Sequence, residues 1–577
     1  MPRRLLLAAA SLLLAVLALL WFTLPPAPAV VDDARWVPAK GVTVVDGAYH
    51  VHTNRSDGGG TMDEVAAAAA SAGLAFVIFT DHGDATRAPE PPAYRSGVLC
   101  LDAVEISTRG GHYVALDLPR APYPLAGEPR DVAEDVRRLG GFGIAAHPTS
   151  PKAALEWTDW SVPFDGLEWL NADSEWRDED WRGLGRLPFD YVVRPESALA
   201  TLLDRPELAL TRWDALATRR QVVGLGAVDA HGRVGPGGRD DRYGDLAAFE
   251  LPSYEVSFRA IGVRLELDAP LAGDAGADAR AVYGAIRTGR VFTAIDALAR
   301  PVRLDVSAAS GDRTARMGQT LEPAGPVTIH VRTLLPPGGG EVLILQDGQV
   351  VHAQAASELS YEAGAVESVA FRVEVRLAGA PGTPPVPWIV GNPVYVGPRA
   401  GEGVEPPPRL PARETRPLYS NEPEQGLPWA VEVDPESRAA IGVTPNVGGV
   451  ELAFRYALRG APIAGQYAAL VRPLADGLVG DDRVVLRARA SRPMRVEIQI
   501  RQPGGPDGQR WERSVYLDEQ AREVTVFFDD MHPIGPTDTF RPDLSLIDAL
   551  LFVVDTNHTP PATAGVVWVD DVRIGRS

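Results

Sequence analysis

Between residues 42 and 300, short apolar runs alternate with stretches of helical periodicity. VVDGAYHVH is followed by TMDEVAAAAASAG and then by LAFVIFTDH. Further on come EPRDVAEDVRRLGG, FGIAAHP, FDGLEWLN, a long helical region near 196–218, and QVVGLGAVDAH. Runs of strand length separated by amphipathic helices predict βα units and a parallel sheet or barrel. Gly73 and the pair Gly140-Gly141 are suited to close the helices before them. From 301 to 397 the helical signal stops. VRLDVSA, VTIHVRTL, EVLILQDG, VAFRVEVRL and NPVYVG alternate and are parted by Gly and Pro, which predicts an Ig-like β-sandwich. Residues 398–414 are rich in Pro and Gly and read as a linker. Residues 415–577 return to strands (GVELAFRYAL, DRVVLRARA, MRVEIQIRQ, ALLFVVDT, GVVWVDDVRIG) and predict a jelly-roll β-sandwich. The expected fold class is multidomain, α/β followed by all-β.

The N-terminus changes the picture of where the chain works. Arg3 and Arg4 precede an apolar stretch from Leu5 to Leu24, followed by prolines and Ala27-Pro28-Ala29. Residues 1–29 have the composition of an export signal, and the stretch is also long enough to span a bilayer. Cleaved signal and membrane anchor both stay open. In either case the rest of the chain is expected outside the cytoplasm, secreted, periplasmic or anchored. The formal net charge of -20 argues against a nucleic-acid partner, whose phosphates require clustered Lys and Arg. It leaves small anionic substrates open, since bound cations reverse the local field. The single cysteine, Cys100, lies in the apolar run VLCLDAVEI, where it reads as a small buried hydrophobe.

Six of the ten histidines, His50, His52, His82, His112, His147 and His231, fall at or beside the ends of the predicted strands. Asp57, Glu105 and Asp229 accompany them. In a βα barrel, strand ends distant in sequence converge on one mouth. Imidazole and carboxylate together are the donor set for Zn, Mn or Fe, and carboxylates crowded this way repel unless cations offset them. His50 and His52, two apart, share one face of a regular strand, and Asp229 and His231 repeat that spacing. Asp81, beside His82, is a candidate to orient that ring or to move protons, and equally an ordinary strand-end cap. Arg87, Arg109, Lys152 and Arg233 follow strand ends and are candidates to clamp an anionic group, with Asn171 as a polar candidate at the same mouth. The tryptophans of EWTDW, EWLNADSEWRDEDW and TRWD are candidates either for packing or for lining a cleft.

The HxH of His50-Val51-His52, Asp57, the TDH of Asp81-His82, Glu105, His112, His147 in AHP and the DxH of Asp229-Ala230-His231 resemble, in order and spacing, the polymerase-and-histidinol-phosphatase (PHP) metallohydrolases. The resemblance covers about residues 45–300. It implies a distorted seven-stranded βα barrel holding two or three divalent ions. His50, His52, Glu105 and Asp229 would surround one ion. Glu105 would bridge to a second, held by His112 and His147. Asp57, His82 and His231 would hold a third, with Asp57 standing where some members use histidine. AIRTGRVFTA and the later GNPVYVG are similar to the carbaryl-hydrolase-like branch of that family. VVWVDDVRIG is similar to the closing strand of galactose-binding-like jelly rolls, which implies contact with glycans or cell wall; a spacer or dimerisation role is equally open. The expected function is an exported metal-dependent hydrolase of small phosphate esters. One alternative is hydrolysis of a carbamate, ester or amide at the same centre. Another is a non-catalytic glycan- or metal-binding surface protein. No G-x-S-x-G nucleophile elbow is present.

Overall fold

The computed structural model describes residues 18–577 except 180, 233–250, 400–408, 420–428, 447–448, 461–464 and 476, together with residues 7, 11, 14 and 16. Part of the expected leader, part of the expected linker and Arg233 therefore lie outside the described residues. Among the described residues, no helix is long and apolar enough to cross a membrane. The chain divides into two compact units. One comprises Met1–Gly83, Pro89–Pro119 and Val136–Val404. The other comprises Asp84–Ala88, Arg120–Asp135 and Glu405–Ser577.

The first unit opens with β1 (Thr43–Val51), α1 (Met62–Ser71), β2 (Phe76–Phe79), β3 (Ala93–Arg95), β4 (Val98–Asp102), β5 (Val104–Thr108) and β6 (Gly111–Leu116). Past α2 (Pro129–Arg138), most of which belongs to the second unit, the first unit continues with β7 (Phe142–Ala145), β8 (Gly166–Asn171), α3 (Ala172–Asp178), α4 (Trp181–Val193), α5 (Pro195–Ala200) and α6 (Glu207–Ala217). β9 (Val223–Ala227), α7 (Tyr254–Ala260), β10 (Gly262–Leu267), α8 (Ala275–Arg287) and β11 (Val291–Ala294) complete the series. Local sequence accounts for α1. Thr61 and Glu64 form a reciprocal capping box, and Met62, Val65, Ala66 and Ala69 form one buried stripe.

The strands make two sheets. β1, β2 and β4 run parallel, as do β7, β8 and β9. The expectation of a parallel sheet or barrel is corrected at β3, β5, β6, β10 and β11, which pair antiparallel with their neighbours. β5 and β6 are separated only by Arg109 and Gly110, too short for the crossover a parallel pair requires. The sheets touch at two single parallel bridges, Val51 with Ala230 and His82 with Glu105. Tyr49, Phe76, Ile78, Leu101, Val114, Ile144, Leu225 and Val263 fill a common core.

The following sandwich is part of this same unit. Arg313–Arg316, Leu304–Ser310, Val327–Thr333 and Glu358–Gly364 form a four-stranded layer in that order. In the facing layer, Ile389–Gly391 pairs antiparallel with β11, Phe292 opposite Gly391 and Ala294 opposite Ile389. That layer is thereby continuous with the sheet of β1, β2 and β4, twelve strands in all. Phe292 and Ala294 sit in one hydrophobic cluster with Val302, Val331 and Trp388. Asn392 hydrogen-bonds Gly224 N and O and Val291 O. A cut between 300 and 301 would pass through hydrogen-bonded sheet.

In the second unit, two six-stranded antiparallel sheets enclose a core that includes Phe454, Ile498, Ile500, Trp511, Phe552 and Val567. This is the β-sandwich expected for 415–577. Within the same unit the buried guanidinium of Arg495 donates to both oxygens of Asp135 at 2.8 Å.

Candidate metal centre

The nine candidate ligands converge in the first unit. His50 is the penultimate residue of β1, with His52 just past its end, and His82 follows β2. Glu105 and His112 are second residues of β5 and β6, while His147 and Asp229 lie two residues beyond β7 and β9. Each of the nine has a ring nitrogen or carboxylate oxygen within 3.4 Å of another member.

The tightest group is His50, His52, Glu105 and Asp229. His50 Nε2 lies 3.3 Å from Glu105 Oε2 and 3.4 Å from Asp229 Oδ1. His52 Nε2 lies 3.3 and 3.2 Å from the same two oxygens. Donors arranged tetrahedrally at Zn–ligand distances of about 2.0–2.1 Å are separated by about 3.3–3.5 Å. His50 Nε2, Glu105 Oε2 and both oxygens of Asp229 are buried without a hydrogen-bond partner. Four orphaned polar atoms at one buried point are costly, and a divalent cation supplies what they lack. The residues present therefore fit a metal ion.

Glu105 faces two ways. Oε2 serves the group just described and approaches His82 Nδ1 at 3.1 Å. Oε1 lies 2.7 Å from His112 Nδ1 and 3.1 Å from His147 Nε2. That is the arrangement a bridging carboxylate needs. Asp57 Oδ2 lies 3.4 Å from both His82 Nε2 and His231 Nε2, and its Oδ1 is 3.3 Å from His52 Nδ1. Burial is graded across the centre. The side chains of His50 and Glu105 are 0% exposed, whereas His231, His82 and Asp57 are 22, 33 and 37% exposed. The cluster is closed at the Glu105 end and open at the Asp57 end.

The outward nitrogens of the rings are also held. His50 Nδ1 is 2.6 Å from Glu168 Oε1, which leaves its Nε2 lone pair facing the cluster. His147 Nδ1 meets Ser174 Oγ, His112 Nε2 meets Ser107 Oγ, and His231 Nδ1 meets the carbonyl of Asp229. Three of the nine candidates adopt left-handed backbone: His50 (φ 66°), His147 (φ 50°) and Asp229 (φ 46°). Each such residue costs on the order of 1–3 kcal/mol, and such strain collects at functional sites. The regular-strand explanation for the HxH pair is corrected accordingly. His50 lies where the β1–β2 register shifts and His52 lies past the strand, so the kink, not strand alternation, aims both rings at one point.

The electrostatics tell the same story. Burial disfavours the ionised carboxyls of Glu105 and Asp229, yet the surrounding imidazoles hold both well below the usual range. Burial likewise opposes charge on His147 and His231, but Glu105 and Asp229 raise the first to about 9, and Asp57 and Asp229 raise the second to about 10. Raised imidazoles and lowered carboxyls thus face one another across the cluster.

Of the two readings of Asp81, the structural one fits its bonds. Its carboxylate accepts from Thr53 N and Oγ1 at 2.8 Å, from Ser56 Oγ at 2.7 Å and from Arg55 Nη2 at 2.8 Å. It braces the 53–57 loop that carries Asp57, and its bonds are made to that loop and not to His82. Burial would raise its pKa, but these donors prevail and lower it, which suits a structural anion and not a proton carrier. Asn171 is also corrected: it is buried, donates to Glu168 Oε2 at 2.8 Å and caps α3 through Ser174 N at 2.9 Å. Arg109 is exposed in the β5–β6 turn, Arg87 is exposed, Lys152 is half-buried in the loop after β7, and Arg233 lies outside the described residues. Trp157, Trp169 and Trp213 are core packing; Trp176 is half-buried in α3.

Sequence reasoning missed Glu168, Asp173 and Arg177. Glu168 was detectable in principle, as the lone charged residue of a strand whose six residues are all buried. Asp173 lies with His147 and Asp229 in a group of donor atoms within 4.8 Å of one another, a proximity created by the fold alone.

No family model matches the chain, and no curated protein matches it. Among solved structures, the chain is similar to the family 11 carbohydrate-binding module of the cellulosomal cellulase Lic26A-Cel5E of Clostridium thermocellum. That likeness has 16% identity and a TM-score of 0.25, over 29% of this chain and 97% of the module. A family 30 module from a Clostridium thermocellum cellulase is similar at 12% identity and a TM-score of 0.22, over 28% of this chain and 98% of the module. An exo-beta-agarase is similar at 12% identity and a TM-score of 0.21, over 28% of this chain and 25% of that one. At scores of this size the likenesses say nothing about the metal cluster.

Proposed function

We propose that this chain is an exported metal-dependent hydrolase of the PHP type, acting on small phosphate esters. The observation that carries the reading is the convergence of buried, unpartnered donors of His50, Glu105 and Asp229, with His52, at metal-ligand spacing. His50, His52, Glu105 and Asp229 would hold one divalent ion, Zn, Mn or Fe. Glu105, His112 and His147 would hold a second, and Asp57, His82 and His231 a third. Such ions supply Lewis acidity toward a water and toward the substrate's oxygens. The chain's own residues do the rest. Glu168 fixes the tautomer of His50, and Ser107 and Ser174 steady His112 and His147. Burial of Glu105 and Asp229 excludes bulk water from the closed end. Substrate enters at the Asp57, His82 and His231 side, the exposed edge of the cluster. Export rests on the leader, and a glycan or cell-wall contact is assigned to the C-terminal sandwich.

Carbamate, ester or amide hydrolysis is the second reading of the same centre, favoured by the AIRTGRVFTA and GNPVYVG segments. The experiment is turnover by the purified protein from Val31 on, loaded with Mn or Zn. Aryl phosphate mono- and diesters are offered beside an aryl carbamate, with His50→Ala as control. Phosphate turnover abolished by His50→Ala is the expected result. Carbamate turnover alone moves the chain to the acyl-hydrolase reading. Metal bound without turnover, together with retention on immobilised glycans, makes it a binding protein.

A further inference from the structure

Helix α3 carries side chains that the scheme above leaves unused. Asp173 is 7% exposed and reaches the centre beside His147 and Asp229. Both its oxygens are engaged: Oδ1 accepts from Trp176 Nε1 at 2.8 Å, and Oδ2 accepts from Arg177 Nε at 2.5 Å. The guanidinium carbon of Arg177 lies 4.9 Å above the Trp176 ring. One ion pair through Nε and one stacked ring fix the plane of the guanidinium. Among the described residues, Nη1 and Nη2 make no hydrogen bond or ion pair.

An arginine held this way presents two N–H edges in a rigid fork, which matches the paired oxygens of a phosphate. Burial disfavours its charge, but Asp173 and, beyond it, Asp229 and Asp57 restore it, so Arg177 lies within electrostatic range of the ligands themselves. Its side chain is 31% exposed, open to an incoming molecule. We propose that Arg177, aligned by Asp173 and Trp176, is the anion clamp of the centre and grips two non-bridging oxygens of a phosphate ester. This rests on the reading of the centre as a phosphate-ester hydrolase. Arg177 contacts substrate; Asp173 is a positioning residue.

The test compares the metal-loaded wild type with Arg177→Gln and Arg177→Lys. Metal content is measured first, and then affinity for inorganic phosphate by calorimetry. Steady-state kinetics follow on an aryl phosphate and on a neutral aryl acetate. Arg177→Gln is expected to weaken phosphate binding and raise KM for the aryl phosphate at least tenfold. Metal content and acetate kinetics should stay unchanged. Arg177→Lys, a cation without the fork, should recover less than half of that loss on a logarithmic scale. Phosphate affinity equal in wild type and Arg177→Gln overturns the clamp, even if the enzyme hydrolyses phosphate esters normally. An equal loss toward acetate also overturns it. Arg177-dependent phosphate binding without turnover of any ester upholds the clamp and sinks the hydrolase reading instead.

Discussion

Glu168 shows how a single side chain can set the orientation of a ring it stands behind. It accepts from His50 Nδ1, from the amide of His147 and from Asn171, so it fixes one ring and one kinked backbone together. Replacing it with Gln keeps the volume but presents an amide to His50. Metal affinity should fall about 10–100-fold, measured by competition with a coloured chelator, while the fold persists. Unchanged affinity would deprive Glu168 of that role. Gly58 makes a second residue-scale prediction. A Cβ there would stand 2.5 Å from the carbonyl oxygen of His52 and 2.7 Å from the amide of Thr53, both backbone atoms. Gly58→Ala must therefore shift the loop that carries Asp57. The variant should lose about one equivalent of metal by elemental analysis and keep the ion of the His50 group. Full retention would show that Asp57 is not a ligand. At this scale the convergence was most legible where the candidate residues are strung at strand ends in close pairs. Asp173 and Arg177 had no such signal, because α3 brings them to the centre from a different part of the chain.

Elements interact through charge as well as sheet. Glu374, on the strand Val369–Arg376, is fully buried and receives Arg205 Nη1 at 2.6 Å, Arg372 Nη1 at 2.6 Å and Arg376 Nη2 at 2.7 Å. Arg372 in turn grips Asp214 of α6 at 2.6 and 2.7 Å. The network ties α6 and the loop before it to the sandwich. Removing one partner of a buried pair strands the others, so Glu374→Ala should cost about 3–5 kcal/mol in urea unfolding. Burial opposes the charge, but Arg372 and Arg205 hold the Glu374 carboxyl down from 4.5 to about 2. A depressed carboxyl stabilises the fold fully above its unfolded pKa and loses that contribution as pH falls through its folded pKa. The contribution is therefore whole above about pH 4.5 and gone below about pH 2, and Glu374→Gln should flatten that acid limb of the unfolding midpoint. An unaltered limb would place the acid sensitivity elsewhere. The alternation of strands and helices was readable from periodicity. The antiparallel turn at β5–β6 was not, because the run from Val98 to Leu116 gives no sign of how its short strands pair.

For the whole molecule, the decisive feature is the pairing of Ile389–Gly391 with β11. It joins segments about a hundred residues apart, so no local pattern announces it, and a boundary at 300 looked natural in the sequence. A chain ending at residue 300 should fail to fold cooperatively, with early, broad thermal unfolding. A chain ending at residue 399 should melt in one transition. Equal melting of both would mean that the shared strand is dispensable.

That shared strand also constrains descent. A gene segment can be shuffled freely only when its product carries its own edges. Here the N-terminal segment would leave β11 with an open row of amides and carbonyls, a template for adhesion between copies. Relatives that recombined at this junction would survive only by bringing a replacement strand. The segment that carries the histidine–carboxylate cluster and its sandwich are thus expected to be inherited together.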